Sequence, residues 1–346
     1  MATYERVLRL VADTPWAIRP HVLAMIVDFL SIRAAGEQLT PAEVRERIGA
    51  GPARRLPERR GAVAVLPVYG VIAPKATMMT EMSGGTSLGA FRQAFSAALQ
   101  DDRVGGILLD IDSPGGMVEG VPEAAAEIRA ARGAKPIIAV ANATAASAAY
   151  WLGSQADEFY VTPSGQVGSI GVFTAHDDLS RADEMRGIKT TLISAGRFKT
   201  EGNPFEPLSE EAREAAQRTV DEFYAMFVDD VAAGRDTTPE AVRNGYGEGR
   251  MVTASTAVVE GMADGVATFE EVLGRFTTGE FTSRTTTGNL GSITFNIPAW
   301  PIEDHDPEPE PEPEEEGHIG VDIAARRVGV RRTRLRQAAQ EGRRQR

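Results

Sequence analysis

The sequence predicts an α/β domain built on a parallel or mixed sheet covered on both faces, and two observations carry that prediction. From Gly61 onward, short apolar runs ("AVAVLPVYGVI", "VGGILLDIDS", "KPIIAVA", "EFYVTP") alternate with amphipathic stretches such as "LGAFRQAFSAALQ" and "VPEAAAEIRAA". Strands buried on both faces read as unbroken hydrophobic runs, and parallel strands need crossover helices of ten or more residues between them. The second observation is composition: a chain of 346 residues with 42% hydrophobic side chains can build a sizeable core, and the pattern stays globular up to about residue 276.

Residues 1–60 read as a helical arm. Leu23, Ile26, Val27 and Leu30 recur at the helical period, and "TPAEVRERI" opens with Thr40 as cap, Pro41 at the first helical position and Glu43 closing a capping box. Residues 61–276 form the α/β domain. Within it "QVGSIGVF" and "KTTLIS" are read as two further strands around the helix "DDLSRADEMRG". A long helix from about Ser209 to Ala233 follows, with an apolar stripe of Ala216, Val220, Phe223, Phe227 and Val231. Residues 277–317 thin to Thr, Ser and Gly and then to "PEPEPEPEEE", an extended, self-repelling polyproline II spacer that cannot build a core. Residues 318–346 are a basic tail.

Several chemistries are excluded. With no cysteine there is no disulfide, thiolate zinc site or cysteine nucleophile. The four histidines, His21, His176, His305 and His318, are scattered without helical metal-ligand spacing, so neither a metal nor any other cofactor is expected. "HVLAMIVDFL" is shorter than a bilayer span of roughly 20 residues and carries Asp28, so no membrane span is expected. No signal-peptide pattern opens the chain, and a cytoplasmic location follows as the expectation. The net charge of −12 is unevenly distributed: the acid concentrates in Glu303–Gly317 and the base in Ala325–Arg346, where clustered arginines suit either a protein partner or nucleic-acid phosphate.

Three local features point to acyl transfer. In "DSPGGMVEG" an apolar strand runs into Pro-Gly-Gly, and consecutive glycines let backbone N–H groups converge on a ligand as an oxyanion hole requires; alone, such a sequence is more often a turn. In "NATAASAAYWLG" a single serine, Ser147, sits at the start of a helix among alanines too small to obstruct a substrate backbone, although an isolated serine there is far more often a helix cap. In "ISAGRFKTEGNPF" Lys199 lies on a loop between strand and helix, and a lysine serves as general base only when burial and dipoles lower its pKa from about 10.4.

In order and spacing, "DSPGG", "NATAASAAYWL", "VGSIGV" and "SAGRFKTEGNPF" resemble the signal peptide peptidase A family of Ser-Lys peptidases, over roughly residues 60–276. The flanks, with "TPWAIRPHVLAMIVDFLSIRAAG" at the N-terminal end and a charged C-terminal extension, are similar to those of bacteriophage head maturation proteases. The resemblance implies the Clp protease/crotonase fold, a spiral of ββα units. It implies Ser147 as nucleophile, Lys199 as general base, and Ser169 as the serine that orients the lysine. Gly116, with Gly115, and the N–H of Ala148 would form the oxyanion hole. It also implies self-association and a polypeptide substrate, among them scaffold, capsid or portal proteins, met in the host cytoplasm or the assembling virion. An extended substrate is expected along the strand edge beside "DSPGG".

Four alternatives stay open. His176, 29 residues after Ser147, is a rival base, although Asp177 and Asp178 beside it are poorly placed to orient its ring. A crotonase-like acyl-CoA enzyme would use the glycine amides on an enolate and leave Ser147 and Lys199 unexplained. An assembly scaffold would rest on the arm, spacer and tail. A host-type protein or signal-peptide peptidase remains the cellular counterpart of the phage reading.

Overall fold

The apolar runs pair in parallel, and their carboxyl ends meet at one edge. The structure is a computed structural model that describes residues 14–34, 56–76, 84–278, 280–284 and 290–294. The helix expected at Thr40, the acidic spacer and the basic tail lie outside the described residues.

In chain order, β1 (Trp16–Ile18) leads into α1 (Pro20–Ala34), and β2 (Glu58–Arg60), β3 (Val63–Tyr69), β4 (Ile72–Ala73), β5 (Thr86–Ser87) and α2 (Leu88–Gln100) follow. Next come β6 (Gly106–Ser113), β7 (Gly115–Met117), α3 (Val121–Ala130), β8 (Ile137–Ala146), α4 (Ala148–Gly153), β9 (Glu158–Val161) and β10 (Gln166–Gly168). The remainder is α5 (Ser180–Met185), α6 (Glu210–Gly234), α7 (Pro239–Asn244), β11 (Met251–Thr253), α8 (Ala254–Val259), β12 (Gly265–Val266), α9 (Phe269–Thr278), β13 (Glu280–Arg284) and β14 (Leu290–Thr294).

A large sheet runs β11-β10-β8-β6-β3-β2, with β9 also on β8 and β12 on β9; a small sheet runs β1-β7-β4-β5. The ββα repeat is visible in this division. β3 lies in the large sheet, β4 in the small one, and α2 closes the unit; β6, β7 and α3 repeat it. In the third turn β8 passes through Ser147 directly into α4. The α/β class and its ββα units are therefore borne out.

Burial follows the sequence pattern. β6 and β8 are largely apolar on both faces, the buried Asp110 of β6 being paired with the Tyr69 hydroxyl and Asn142, because α2, α3, α4 and α6 pack on one side, through Phe91, Phe95, Ile128, Trp151 and Phe227. On the other side α9 places Val272 and Phe276 over Leu108, Ile138 and Val140. Gly106 is required there, since a Cβ at that position would lie 2.3 Å from the Phe276 ring. α2 begins where the Ser87 hydroxyl accepts the Ala90 N–H, and Ser209 caps α6 through Ala212 in the same way.

Two expectations need correction. "KTTLIS" forms no strand: residues 189–194 are exposed and pair with nothing regular, because no neighbouring edge receives their backbone. The N-terminal segment is not wholly helical either, since Trp16–Ile18 is a strand of the small sheet. The helical face read from sequence is present in α1, whose Leu23, Ile26 and Leu30 are buried with Trp16 and Ile18.

A buried ion pair ties the C-terminal part of the domain to β9. The Arg235 guanidinium, 2% exposed, makes a fork of bonds at 2.8 and 2.9 Å to the Asp264 carboxylate, which also accepts the Phe159 N–H at 2.6 Å. Removing one partner strands a buried charge, so Asp264→Ala is expected to cost about 3–5 kcal/mol. Urea denaturation of the variant beside the unaltered chain measures it.

Candidate active site

The first two units and the third turn at the same edge of the large sheet. Tyr69 stands opposite Asp112, and Ser113 opposite Ala145, so the turns after β3, β6 and β8 lie side by side. Crevices at the carboxyl ends of parallel strands are where open α/β sheets bind ligands. Ser113 joins the first two turns: its hydroxyl donates to the Gly70 carbonyl at 2.6 Å and accepts the Gly115 N–H at 3.1 Å. Sequence reasoning quoted Ser113 without giving it a role; only the adjacency of turns 43 residues apart reveals one.

Ser147 occupies the third turn with φ 54° and ψ −119°, a backbone conformation that a side-chain-bearing residue rarely holds. Several contacts impose it. Its N–H donates to the Gly168 carbonyl at 2.8 Å, and its carbonyl accepts the Trp151 N–H at 2.9 Å. α4 is itself pinned: Trp151 stacks on Phe227 at 4.3 Å, its Nε1 donates to Asp230 at 2.9 Å, and the Tyr150 hydroxyl donates to the Met262 carbonyl at 3.0 Å. The alanines around the serine, Ala145, Ala146, Ala148 and Ala149, are fully buried, so their small size serves close packing of β8 and α4 beneath the hydroxyl.

The glycine turn faces that serine. A Cβ on Gly115 would lie 3.0 Å from the Ser147 Cβ, and one on Gly116 would lie 1.9 Å from the Ile72 carbonyl oxygen, so both positions exclude side chains. The Ala148 N–H lies in the first turn of α4, where Ser147 makes no side-chain cap bond. On the opposite side Gly168 pairs with Ala146, and Ser169, at φ 56°, donates its N–H to the Arg250 carbonyl at 2.9 Å. The Ser147 hydroxyl points toward this segment and contacts the Gly171 carbonyl at 3.4 Å.

Ser147, Gly115, Gly116, Ala148 and Ser169 are thus gathered at one place. Lys199 is not among them. It is exposed, in a turn where its N–H donates to the Gly196 carbonyl at 3.2 Å, and among the described residues its ammonium has no hydrogen bond or ion pair. The segment bearing it also exposes Leu179, Met185, Ile188, Leu192, Ile193 and Phe198. His176, on the same segment, keeps its Nε2 buried without a partner. Among the described residues no three His, Asp or Glu side chains gather into a metal-binding set, and no helix is long and apolar enough to cross a membrane.

A buried, strained serine faces paired glycines at the carboxyl ends of parallel strands, and residues 129–280, Ser147 among them, match the model of peptidase family S49. The recognition read from the sequence is borne out, down to its phage members. The chain is 36% identical over 202 residues to capsid assembly protease C of Escherichia phage lambda and 35% identical over 202 residues to head-tail preconnector protein GP5 of Enterobacteria phage P21. Both matches cover 58% of this chain, and they span 46% and 40% of those relatives, so the chain matches less than half the length of either. Among solved structures, the 1510-N membrane protease specific for a stomatin homolog from Pyrococcus horikoshii aligns with 68% of this chain and 87% of its own, at 15% identity and a TM-score of 0.40.

Gly116 is the most constrained position of the site. Gly116→Ala is expected to push β7 off β4, because the Ile72 backbone cannot yield as a side chain would. A loss of about 1–3 kcal/mol should appear as a lowered melting temperature, with serine reactivity lost alongside.

Proposed function

We propose that this chain is a serine endopeptidase in which Ser147 is the nucleophile and Lys199 the general base, acting on phage scaffold and capsid proteins during head maturation. The observation that carries the reading is the enforced backbone of Ser147, inside the region that matches peptidase family S49, opposite Gly115 and Gly116, which precede that region. The capsid-protein substrate class is taken from the relative named a capsid assembly protease.

Chemically, the neutral Lys199 amine accepts the Ser147 hydroxyl proton as Oγ bonds to the substrate carbonyl carbon. The Gly116 and Ala148 N–H groups receive the developing oxyanion, and the lysine returns the proton to the leaving amine as the C–N bond breaks. Water then attacks the acyl-enzyme by the same route. Ser169 is assigned to orient the amine. A lysine works as a base only when desolvated, so the Lys199 segment must fold down over Ser147. Its six exposed apolar side chains supply a reason for it to be covered, and self-association through that segment is the assigned means. His176, with its unpartnered Nε2, is the second reading for the base.

Ser147→Ala is expected to abolish cleavage of a capsid or scaffold substrate, by about 10⁴-fold or more. Lys199→Met is expected to lose about 10²–10⁴-fold, while His176→Ala retains activity; the reverse order would transfer the role to His176. Size-exclusion chromatography with light scattering reads the assembly. Ile193, 96% exposed, should release monomers when changed to Asp, and an unchanged mass would remove that segment from the interface.

A further inference from the structure

The strand edge beside "DSPGG", where a substrate backbone was expected, is occupied by the chain itself. β1 runs antiparallel to β7, with Trp16 opposite Met117, Ala17 opposite Gly116 and Ile18 opposite Gly115. Its other side bridges to Phe173: the Trp16 N–H donates to the Phe173 carbonyl at 2.8 Å, and the Phe173 N–H to the Trp16 carbonyl at 3.0 Å. The strand therefore lies between the glycine turn and the segment that follows Ser169, the two backbones that flank Ser147.

The register places Ala17 opposite Gly116. The Val118 N–H donates to the Pro15 carbonyl at 3.3 Å, and the Arg19 N–H to the Pro114 carbonyl at 3.0 Å. Alternation in an antiparallel ladder then makes Ala17 and Gly116 a hydrogen-bonded pair, with the Gly116 N–H directed at the Ala17 carbonyl. A Cβ on Gly115 would lie 2.2 Å from that carbonyl oxygen and 3.0 Å from the Ser147 Cβ. The Ala17 carbonyl and the nucleophile-bearing side chain thus approach from two sides of one glycine.

We infer that Pro15–Ile18 is an internal pseudosubstrate strand lodged in the polypeptide-binding groove, and that a substrate enters by exchanging with it. This rests on the serine-peptidase reading for its consequence but not for its geometry. The strand is held rather than offered for cutting. Trp16 and Ile18 are buried with Leu23, Ile26 and Leu30 of α1, so both flanks of the Ala17–Ile18 peptide stay anchored, and Lys199 is exposed elsewhere. The occupant also describes the substrate class: an extended segment with a small residue opposite Gly116, flanked by large apolar ones. Trp16 and Ile18 project to one face and Ala17 to the other.

The absence of cysteine allows a clean lock. Trp16 and Met117 form a non-hydrogen-bonded pair, whose Cα atoms lie about 4.5 Å apart in such ladders and within disulfide reach. Trp16→Cys with Met117→Cys therefore ties the strand down when oxidised and frees it when reduced. Ala17→Pro removes the N–H that pairs with Gly116 and should eject the strand. All are made in the full chain, and circular dichroism checks the fold.

In a Ser147→Ala background, a fluorescent peptide with the sequence of residues 13–20 is titrated by anisotropy. We expect binding about tenfold tighter to the Ala17→Pro chain than to its parent, since affinity scales with the fraction of open groove. We also expect binding to be lost in the oxidised lock and restored on reduction. Equal binding by oxidised and reduced forms would overturn the inference, whether or not Ala17→Pro folds. With Ser147 intact, the rate of labelling by a serine-reactive phosphonate separates the two readings. Labelling equal in all chains sinks the pseudosubstrate and leaves the peptidase; no labelling anywhere, with lock-dependent peptide binding, sinks the peptidase and leaves the strand.

Discussion

The constraint on which the site depends is the backbone of Ser147, held at φ 54° and ψ −119° between a long buried strand and a short buried helix. A residue in so sparsely populated a region costs about 1–3 kcal/mol and persists only where its surroundings over-determine it. Here they do. The Gly168 carbonyl holds its N–H, the Trp151 N–H holds its carbonyl, and the Trp151–Phe227 stack fixes the helix that follows. The absence of side chains at residues 115 and 116 completes the arrangement, because a Cβ there would strike the Ala17 carbonyl or the Ile72 backbone. The hydroxyl is thus aimed by the packing of the domain rather than by its own hydrogen bonds.

Rigidity and exposure are divided sharply along the chain. Ser147 and the glycine turn belong to strands and helices that are almost entirely buried, whereas the stretch carrying His176 and Lys199 is largely exposed and joined to the rest by few hydrogen bonds. Segments with few buried contacts open and close at low free-energy cost. Under the proposed mechanism, a base on such a segment can be supplied or withheld without disturbing Ser147. The apolar side chains exposed beside Lys199 give burial of the amine a driving force.

In the proposed exchange, the N-terminal strand adds a second level of control to the same edge. β7 is flanked by β4 on one side only, and β1 supplies the missing neighbour while α1 packs its apolar face over Trp16 and Ile18. An open strand edge is a template for any extended chain, so under the proposed exchange the local segment keeps the groove shut until a competing strand of suitable side chains arrives. The hydrogen bonds exchanged are alike, which makes the difference in side-chain fit the quantity that decides entry.

Much was legible before any coordinates. The largely apolar runs of β6 and β8 and the stripe on α6 follow from local chemistry, because strands and helix faces turned to the core are mostly apolar, whereas Ser147 and the glycine pair were singled out only through the combined motifs of a family resemblance. What the sequence could not determine was pairing. "KTTLIS" has the composition of a strand but finds no edge, whereas "WAI" is too short to signal a strand and becomes one because β7 and Phe173 offer it two. Ser113 acquired its role from Gly70, which lies beside it only after β3 and β6 align. Side-chain chemistry is written residue by residue, but backbone hydrogen-bonding groups are the same everywhere along a chain, so which edges meet is settled only by the tertiary structure.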